Sequence, residues 1–334
     1  MLCIKVLLKE AEKAKKHIMR EGLIDHSRIS AKDKEFIYFP VTKKFKTEYS
    51  FVQKKLKEKE LRQDLKTSLS EKLSKKDMES LKTSMDVTGS IAIIEVPDEL
   101  SKKESLIAKE LMKANRQITT VLKKGKHEGV FRTQKLVHIG GEDTKETTYK
   151  ENNVNLKLDV EKVYFSPRLS HERKRIAQLI KTPEDVLVMF SGCAPYVCVI
   201  AKNTPAHHVD GVEINPDGHR YAEQNLIINK LKNASVFVGD AREVVPKLGK
   251  KYDRILMPLP KSAADYLDVA LDAAKKGSII HFYDFQNEGE FDNSVEKIAA
   301  ACKKAGKSCE VLDIVRCGQN APRQHRICVD FRVE

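Results

Sequence analysis

Residues 184–195 read Glu-Asp-Val-Leu-Val-Met-Phe-Ser-Gly-Cys-Ala-Pro, and this short run decides the fold. Val186 to Phe190 is an unbroken apolar stretch, as expected of a strand buried on both faces of a sheet. Gly192 then permits a tight loop, and Pro195 suits the first turn of a helix. Strand, glycine loop and helix recur outward from this point. Strands are predicted over 208–213, 235–238, 254–257 and 278–284, with helices over 171–180, 195–202, 216–229, 241–247, 263–274 and 295–305. A last pair of strands, 308–315 and 326–333, closes the chain. Such alternation implies a parallel sheet with helices on both faces, whose ligands lie at the carboxyl ends of the strands.

The loops at those ends carry the chemistry. The first contains Gly192 but neither GxGxxG nor GxxxxGK[ST], so the pyrophosphate cradle of dinucleotide enzymes and the P-loop are both missing. The second strand ends in Glu213, where an acid commonly accepts ribose hydroxyls. The third ends at Gly239-Asp240-Ala241, where Asp240 either receives an exocyclic amine or caps the next helix. Together these features point to an adenosine-bearing cofactor held without a pyrophosphate cradle, which favours S-adenosylmethionine over NAD.

The front of the chain is different. A strand (3–8), a helix (10–21) and a second strand (36–41) form a small first domain, and leucines at mostly helical spacing suggest a helical connector over 42–82. Strands over 90–96, 117–122 and 131–139, a helix over 101–116 and a turn bracketed by Gly125 and Gly129 make a second α+β module. The predicted domains are 1–66, 67–165 and 166–334. Positive charge is concentrated in front: residues 1–165 hold 36 Lys+Arg against 26 Asp+Glu, residues 166–334 only 25 against 22. A basic module beside a nearly neutral one suits a protein that grips a polyanion with one part and works on it with another. A solvated Lys/Glu surface without any partner is equally compatible with charge alone. With 41% hydrophobic residues the chain is too apolar for disorder, and no apolar run reaches the roughly 18 residues of a membrane span. No signal peptide is visible, and seven cysteines without a CxxC pair read as reduced thiols of a cytoplasmic protein.

The run KVYFSPRLSHER (162–173), with MFSG (189–192), VEINP (212–216), GDARE (239–243) and MPLPK (257–261), resembles the archaeal and eukaryotic tRNA (guanine-37 N1)-methyltransferases. The likeness extends to Gly-Val-Phe-Arg at 129–132 and Ala-Pro-Arg at 321–323. It implies a class I, Rossmann-like S-adenosylmethionine-dependent methyltransferase domain preceded by two small α+β RNA-binding domains. The first of these would check the tRNA elbow and the second would help hold the anticodon stem-loop. By matching motif positions, Glu172 is expected to be the general base and Arg132 to stabilise charge on the guanine. Tyr164, Phe165, Arg168, Arg173, Phe190, Gly192, Glu213, Ile214, Asp240, Ala241 and Pro258 are expected around the cofactor, with no metal. The chemistry accords with this: guanine N1 becomes nucleophilic as its proton leaves for a carboxylate, and a cation near O6 stabilises the developing charge.

For Glu172 the competing reading is an ordinary helix salt bridge, for instance with Arg175; for Arg132 it is a surface cation. The chain departs from the family at Val188, where most members have an acid, at Gly192-Cys193-Ala194 in place of Gly-x-Gly, and at Pro258 in place of an asparagine. A proline there offers neither side-chain polarity nor an N–H. This suggests a pocket that accepts the tricyclic wyosine intermediate of tRNA-Phe, methylated at ring carbon C7, as well as guanosine. The alternatives are an aminocarboxypropyl transferase of the wyosine pathway and an inactive RNA-binding homologue. The protein is expected to be a monomer without membrane contact.

Overall fold

The computed structural model describes residues 1–58, 65–81, 85–128 and 133–334. It divides into two compact units, Met1–Ser68 and Leu69–Glu334. Among the described residues no helix is long and apolar enough to cross a membrane.

In the first unit, strands Leu2–Leu7, Ala31–Lys32, Phe36–Pro40 and Ser50–Gln53 form an antiparallel sheet with Leu2–Leu7 between the last two. The helix Ala11–Arg20 places Ala14 and Ile18, one turn apart, against Ile4, Val6 and Phe39. The predicted connector over 42–82 needs correcting. Ser50–Gln53 is a strand paired with Leu2–Lys5, and among the described residues of that stretch only Leu65–Ser70 and Lys75–Ser80 are helical. Phe51, edge-on to Phe45 at 5.5 Å, packs on the small core. The surrounding lysines and glutamates hid that two-residue alternation.

In the second unit a four-stranded sheet runs in the order 85–88, 91–94, 120–128 and 133–141. The two middle strands are parallel, linked by the helix Glu104–Ala114. The predicted turn at Gly125 is instead the interior of a strand. A Cβ at Gly125 would lie 2.7 Å from the Lys135 carbonyl oxygen, so the glycine serves a close approach of two backbones. A hairpin follows, Glu146–Glu151 and Val154–Asp159, turning on Asn152 and Asn153 with φ of 39° and 62°. Paired positive φ values are what a two-residue hairpin loop requires.

The remaining chain builds one seven-stranded sheet. Its strands are β1 (Asp185–Met189), β2 (His208–Glu213), β3 (Ala234–Val238), β4 (Tyr252–Met257), β5 (Ala274–Asn287), β6 (Cys309–Ala321) and β7 (Gln324–Val333). The helices are α1 (Ser170–Leu179), α2 (Pro195–Asn203), α3 (Pro216–Ile228), α4 (Ala241–Lys247), α5 (Leu267–Ala273) and α6 (Asp292–Lys304). The order is β3-β2-β1-β4-β5-β7-β6. The first five strands are parallel, as alternation predicts, but β7 enters antiparallel between β5 and β6. Central β1 is fully buried from Val186 to Met189, which explains its unbroken apolar run. The 146–159 hairpin adheres to this domain through Asn225 on α3 and Asn229, the residue that caps that helix's C-terminal end. Their side-chain amides exchange hydrogen bonds of 2.7–3.0 Å with the backbone of Lys157 and Asn155, occupying a strand edge that would otherwise be bare.

Candidate active site

The carboxyl ends of the first four strands surround a cleft. Phe190, Ser191 and Gly192 follow β1; Glu213, Ile214 and Asn215 close β2; Gly239, Asp240 and Ala241 follow β3; Pro258 and Leu259 follow β4. Tyr164, Phe165, Ser166, Arg173 and Tyr196 wall the opposite side. The sequence thus brings together ten of its eleven predicted cofactor residues. The eleventh, Arg168, lines the adjoining groove and donates to Asp86 at 2.5 Å.

The loop after β1 is tightly wound: Phe190, Gly192 and Ala194 have φ of 58°, 56° and 63°. Ala194 therefore holds a left-handed conformation that glycine adopts more readily. Glu213 accepts the Gly192 N–H at 2.5 Å through one oxygen and the Asn215 N–H at 2.8 Å through the other. Burial pushes its carboxyl up, and these amide donors oppose that rise. Asp240, which lines the cleft, caps α4 by accepting the Arg242 N–H at 2.8 Å, while its second oxygen accepts the Tyr266 hydroxyl at 3.4 Å. Phe190 stands edge-on to Tyr266, ring centres 4.9 Å apart. Ser191 Oγ is buried without a hydrogen-bond partner. It packs toward Gly211 of β2 and Val197 of α2, inside the domain rather than into the cleft.

Arg173 is 2% exposed and forks onto Glu151 of the hairpin at 2.5 and 2.6 Å, with a further bond to the Ser166 carbonyl. Its guanidinium lies 5.1 Å from the Phe165 ring centre. Glu172, the preceding residue, points elsewhere. It is buried, lines neither the cleft nor the groove, and accepts Arg175 at 2.7 and 2.8 Å and the Tyr283 hydroxyl at 2.7 Å. The i, i+3 salt bridge that competed with the catalytic reading is therefore formed. Tyr283 in turn accepts the hydroxyl of Tyr196, which lines the cleft, so two phenols connect the carboxylate to it. Arg132 lies outside the described residues.

Three domain models match this chain: the TRM5/TYW2 methyltransferase domain over residues 147–312, the TYW2 N-terminal domain over 65–144 and the tRNA methyltransferase 5 N-terminal domain over 3–49. The chain is 36% identical to the tRNA (guanine(37)-N(1))-methyltransferase Trm5b of Pyrococcus abyssi over 99% of both chains. The chain belongs to the TRM5/TYW2 methyltransferase family. The crystal structure of that Pyrococcus Trm5b superimposes with a TM-score of 0.75, covering 100% of this chain and 99% of the other. Methanocaldococcus jannaschii Trm5, solved with adenosine, is 28% identical with a TM-score of 0.67 over 100% and 99% of the two chains. Taw22 of Nanoarchaeum equitans, a tRNA (guanine(37)-N(1))/4-demethylwyosine(37)-methyltransferase, is 33% identical over 74% of this chain and 99% of its own.

Several residues of this family member's cleft escaped sequence reading. Asn215 caps α3 and donates to the Lys162 carbonyl at 2.8 Å, pinning the segment that leads to Tyr164 over the cleft. Its signal is legible: asparagine before proline is a common helix start. Tyr196 and Tyr266 had no such signal, because each reads as a core aromatic of its helix.

Proposed function

We propose that the protein is an S-adenosylmethionine-dependent tRNA methyltransferase that methylates N1 of guanosine 37. The observation that carries this reading is the cleft itself, where an acid closing β2 and an acid after β3 converge on a space without a pyrophosphate cradle. The adenosine bound to the Methanocaldococcus relative supports the same ligand class. Glu213 suits the ribose hydroxyls, since a carboxylate engaged by two amides keeps free lone pairs. The Asp240 carboxylate suits the adenine amine, and Phe190, Ile214, Ala241, Pro258 and Tyr266 supply an apolar slot for the ring. When bound, S-adenosylmethionine supplies a methyl group already activated by its positive sulfur, so the protein's remaining tasks are to orient the guanine and remove its proton.

Glu172, paired with Arg175, serves as the base in this reading, and Arg132 stabilises charge on the guanine. The groove beside the cleft, with Lys124, Arg168 and Arg326 in its walls, suits the phosphates of the anticodon loop. Residues 1–66 and 67–165 act as two tRNA-holding modules, and the chain works as a monomer in the cytoplasm. The name of Taw22 and the absence of a polar side chain at Pro258 favour the tricyclic wyosine precursor as a second substrate.

Nucleoside mass spectrometry of an unmodified tRNA transcript after incubation with the full chain and cofactor tests the assignment. Methylated guanosine is expected, with a rate reduced by about 10² or more in Glu172→Gln. An aminocarboxypropyl adduct, or no product despite tight cofactor binding, would refute it. Binding to tRNA is expected to weaken steeply with salt, and deletion of 1–66 to weaken tRNA use more than cofactor affinity.

A further inference from the structure

Behind the cleft, among β5, β7 and α1, a buried chain of charges runs from Glu172 through groups to which the reaction as described gives no role. Arg175 forks onto Glu172 with Nε and Nη2 and onto Asp330 with Nη1 at 2.6 Å and Nη2 at 3.3 Å. Asp330 also accepts Nδ1–H of His281 at 2.6 Å and the Cys328 thiol at 3.2 Å. His281 Nε2 accepts from Arg254 at 2.7 Å, and Arg254 forks onto Glu184 at 2.7 and 3.1 Å. Cross-strand register imposes this order, since His281 lies opposite Asp330 and Tyr283 opposite Cys328. Glu172, Arg254, His281 and Asp330 are each 5% exposed or less.

The protonation states follow from the bonds. A guanidinium only donates, so His281 receives at Nε2 and carries its proton on Nδ1. Burial pushes its titration down and prevails over the opposite pull of Asp330, with the two arginines reinforcing burial. Burial works against an ionised Asp330, but the hydrogen bonds from His281 and Arg175 prevail and hold it below the ordinary range. The chain Glu172, Arg175, Asp330, neutral His281, Arg254 and Glu184 therefore carries one net negative charge. Proton uptake at Glu172 makes it neutral.

We propose that Arg175 and Asp330 are positioning residues that set the basicity of Glu172, and this rests on the reading of Glu172 as the general base. Arg175 alone would hold the carboxylate ionised but make it a poor proton acceptor. Asp330 claims half of the same guanidinium and restores that capacity. The Tyr283 hydroxyl fixes which oxygen stays engaged. The other groups facing Glu172 add no competing charge: burial raises the phenols of Tyr196 on α2 and Tyr283 on β5 and the thiol of Cys328 on β7. Cys317 on β6 sits beside that thiol, and Arg173 on α1 is neutralised by Glu151.

Single-turnover methyl transfer by the full chain, followed from about pH 5 to 9, tests this. Arg175→Gln is expected to move the acid limb of the profile up by about one pH unit or more, because a carboxylate stripped of its cation takes a proton more readily. Asp330→Asn is expected to move it down and to lower the plateau about tenfold, because the guanidinium then serves Glu172 alone. Cofactor affinity by calorimetry should stay within about twofold in both, and Arg175→Lys should show a smaller upward shift if Arg175→Gln fails to fold. Displacements in opposite directions are not expected from mere destabilisation. Shifts in the same direction, or none, while Glu172→Gln remains inactive would overturn the positioning role and leave the base assignment standing. Full activity of Glu172→Gln would overturn both.

Discussion

Glu151→Ala isolates what holds the cleft wall in place. Glu151 and Arg173 are each 2% exposed at the side chain and joined by two bonds of 2.5 and 2.6 Å, in geometry close to a fork-to-fork pair. Removing the carboxylate leaves a guanidinium inside the protein with the Ser166 carbonyl and the rings of Phe165 and Tyr196 as partners. Breaking a buried pair from one side costs about 3–5 kcal/mol, mostly as an uncompensated charge. For a unit of this size that corresponds to a melting temperature lower by roughly 6–20 °C. The chemistry should respond too, because the freed cation lines the cleft in which a sulfonium is expected, and cofactor affinity should fall. Denaturant titration with the linear slope checked for change gives the stability term, and calorimetry the affinity. The double variant Glu151→Met/Arg173→Met removes both charges and should recover most of the stability, since an apolar pair of similar volume replaces a buried ion pair at little cost. A loss below about 1 kcal/mol for Glu151→Ala, the scale of an exposed pair, would refute this account of how the hairpin is held.

Three further outcomes are expected. Glu213→Gln presents one acceptor oxygen where the loop amides of Gly192 and Asn215 use two; one buried N–H loses its partner, at about 1–3 kcal/mol, and cofactor affinity measured by calorimetry should fall roughly 10–100-fold. Cys193 is fully buried and its thiol is pushed up to about 12, chiefly by burial, so intact-mass spectrometry should find it unalkylated in native protein and modified only after denaturation. Stability should decline in two steps with acid. His281 titrates below its ordinary 6.5 when folded, so the unfolded chain takes up its proton first and stability falls as pH drops below about that value. Asp330 titrates below its ordinary 3.8, so its contribution is complete above that pH and is lost as pH falls from there through the lower folded value. Denaturation midpoints from pH 8 to 3 measure the first step and the onset of the second, and His281→Asn should abolish the first.

Much of the catalytic domain was legible because its signals are local. The unbroken apolar run of β1, the acids closing β2 and β3 and the proline and asparagine starting α2 and α3 each state their role within a few residues. What could not be read depends on pairings distant in sequence. Ser50–Gln53 is a strand because Leu2–Lys5 offers it an edge, and Gly125 sits inside a strand because Lys135 approaches it. The 146–151 strand belongs to a hairpin that borrows hydrogen bonds from two asparagines about 70 residues later.

Glu172 shows the same limit at the level of function. Its motif position marks it for chemistry and its helix marks it for a salt bridge with Arg175, and local sequence presents these as competitors. Under the proposed base assignment they are parts of one device. By inserting β7 antiparallel beside β5, the fold sets Asp330 against His281 and delivers a second carboxylate to the same guanidinium. A salt bridge with one partner would quench a base, whereas a guanidinium divided between two carboxylates keeps the base charged and still able to take a proton. The carboxylate that would reconcile the two readings lies on an antiparallel strand, 155 residues away from Arg175 in the chain.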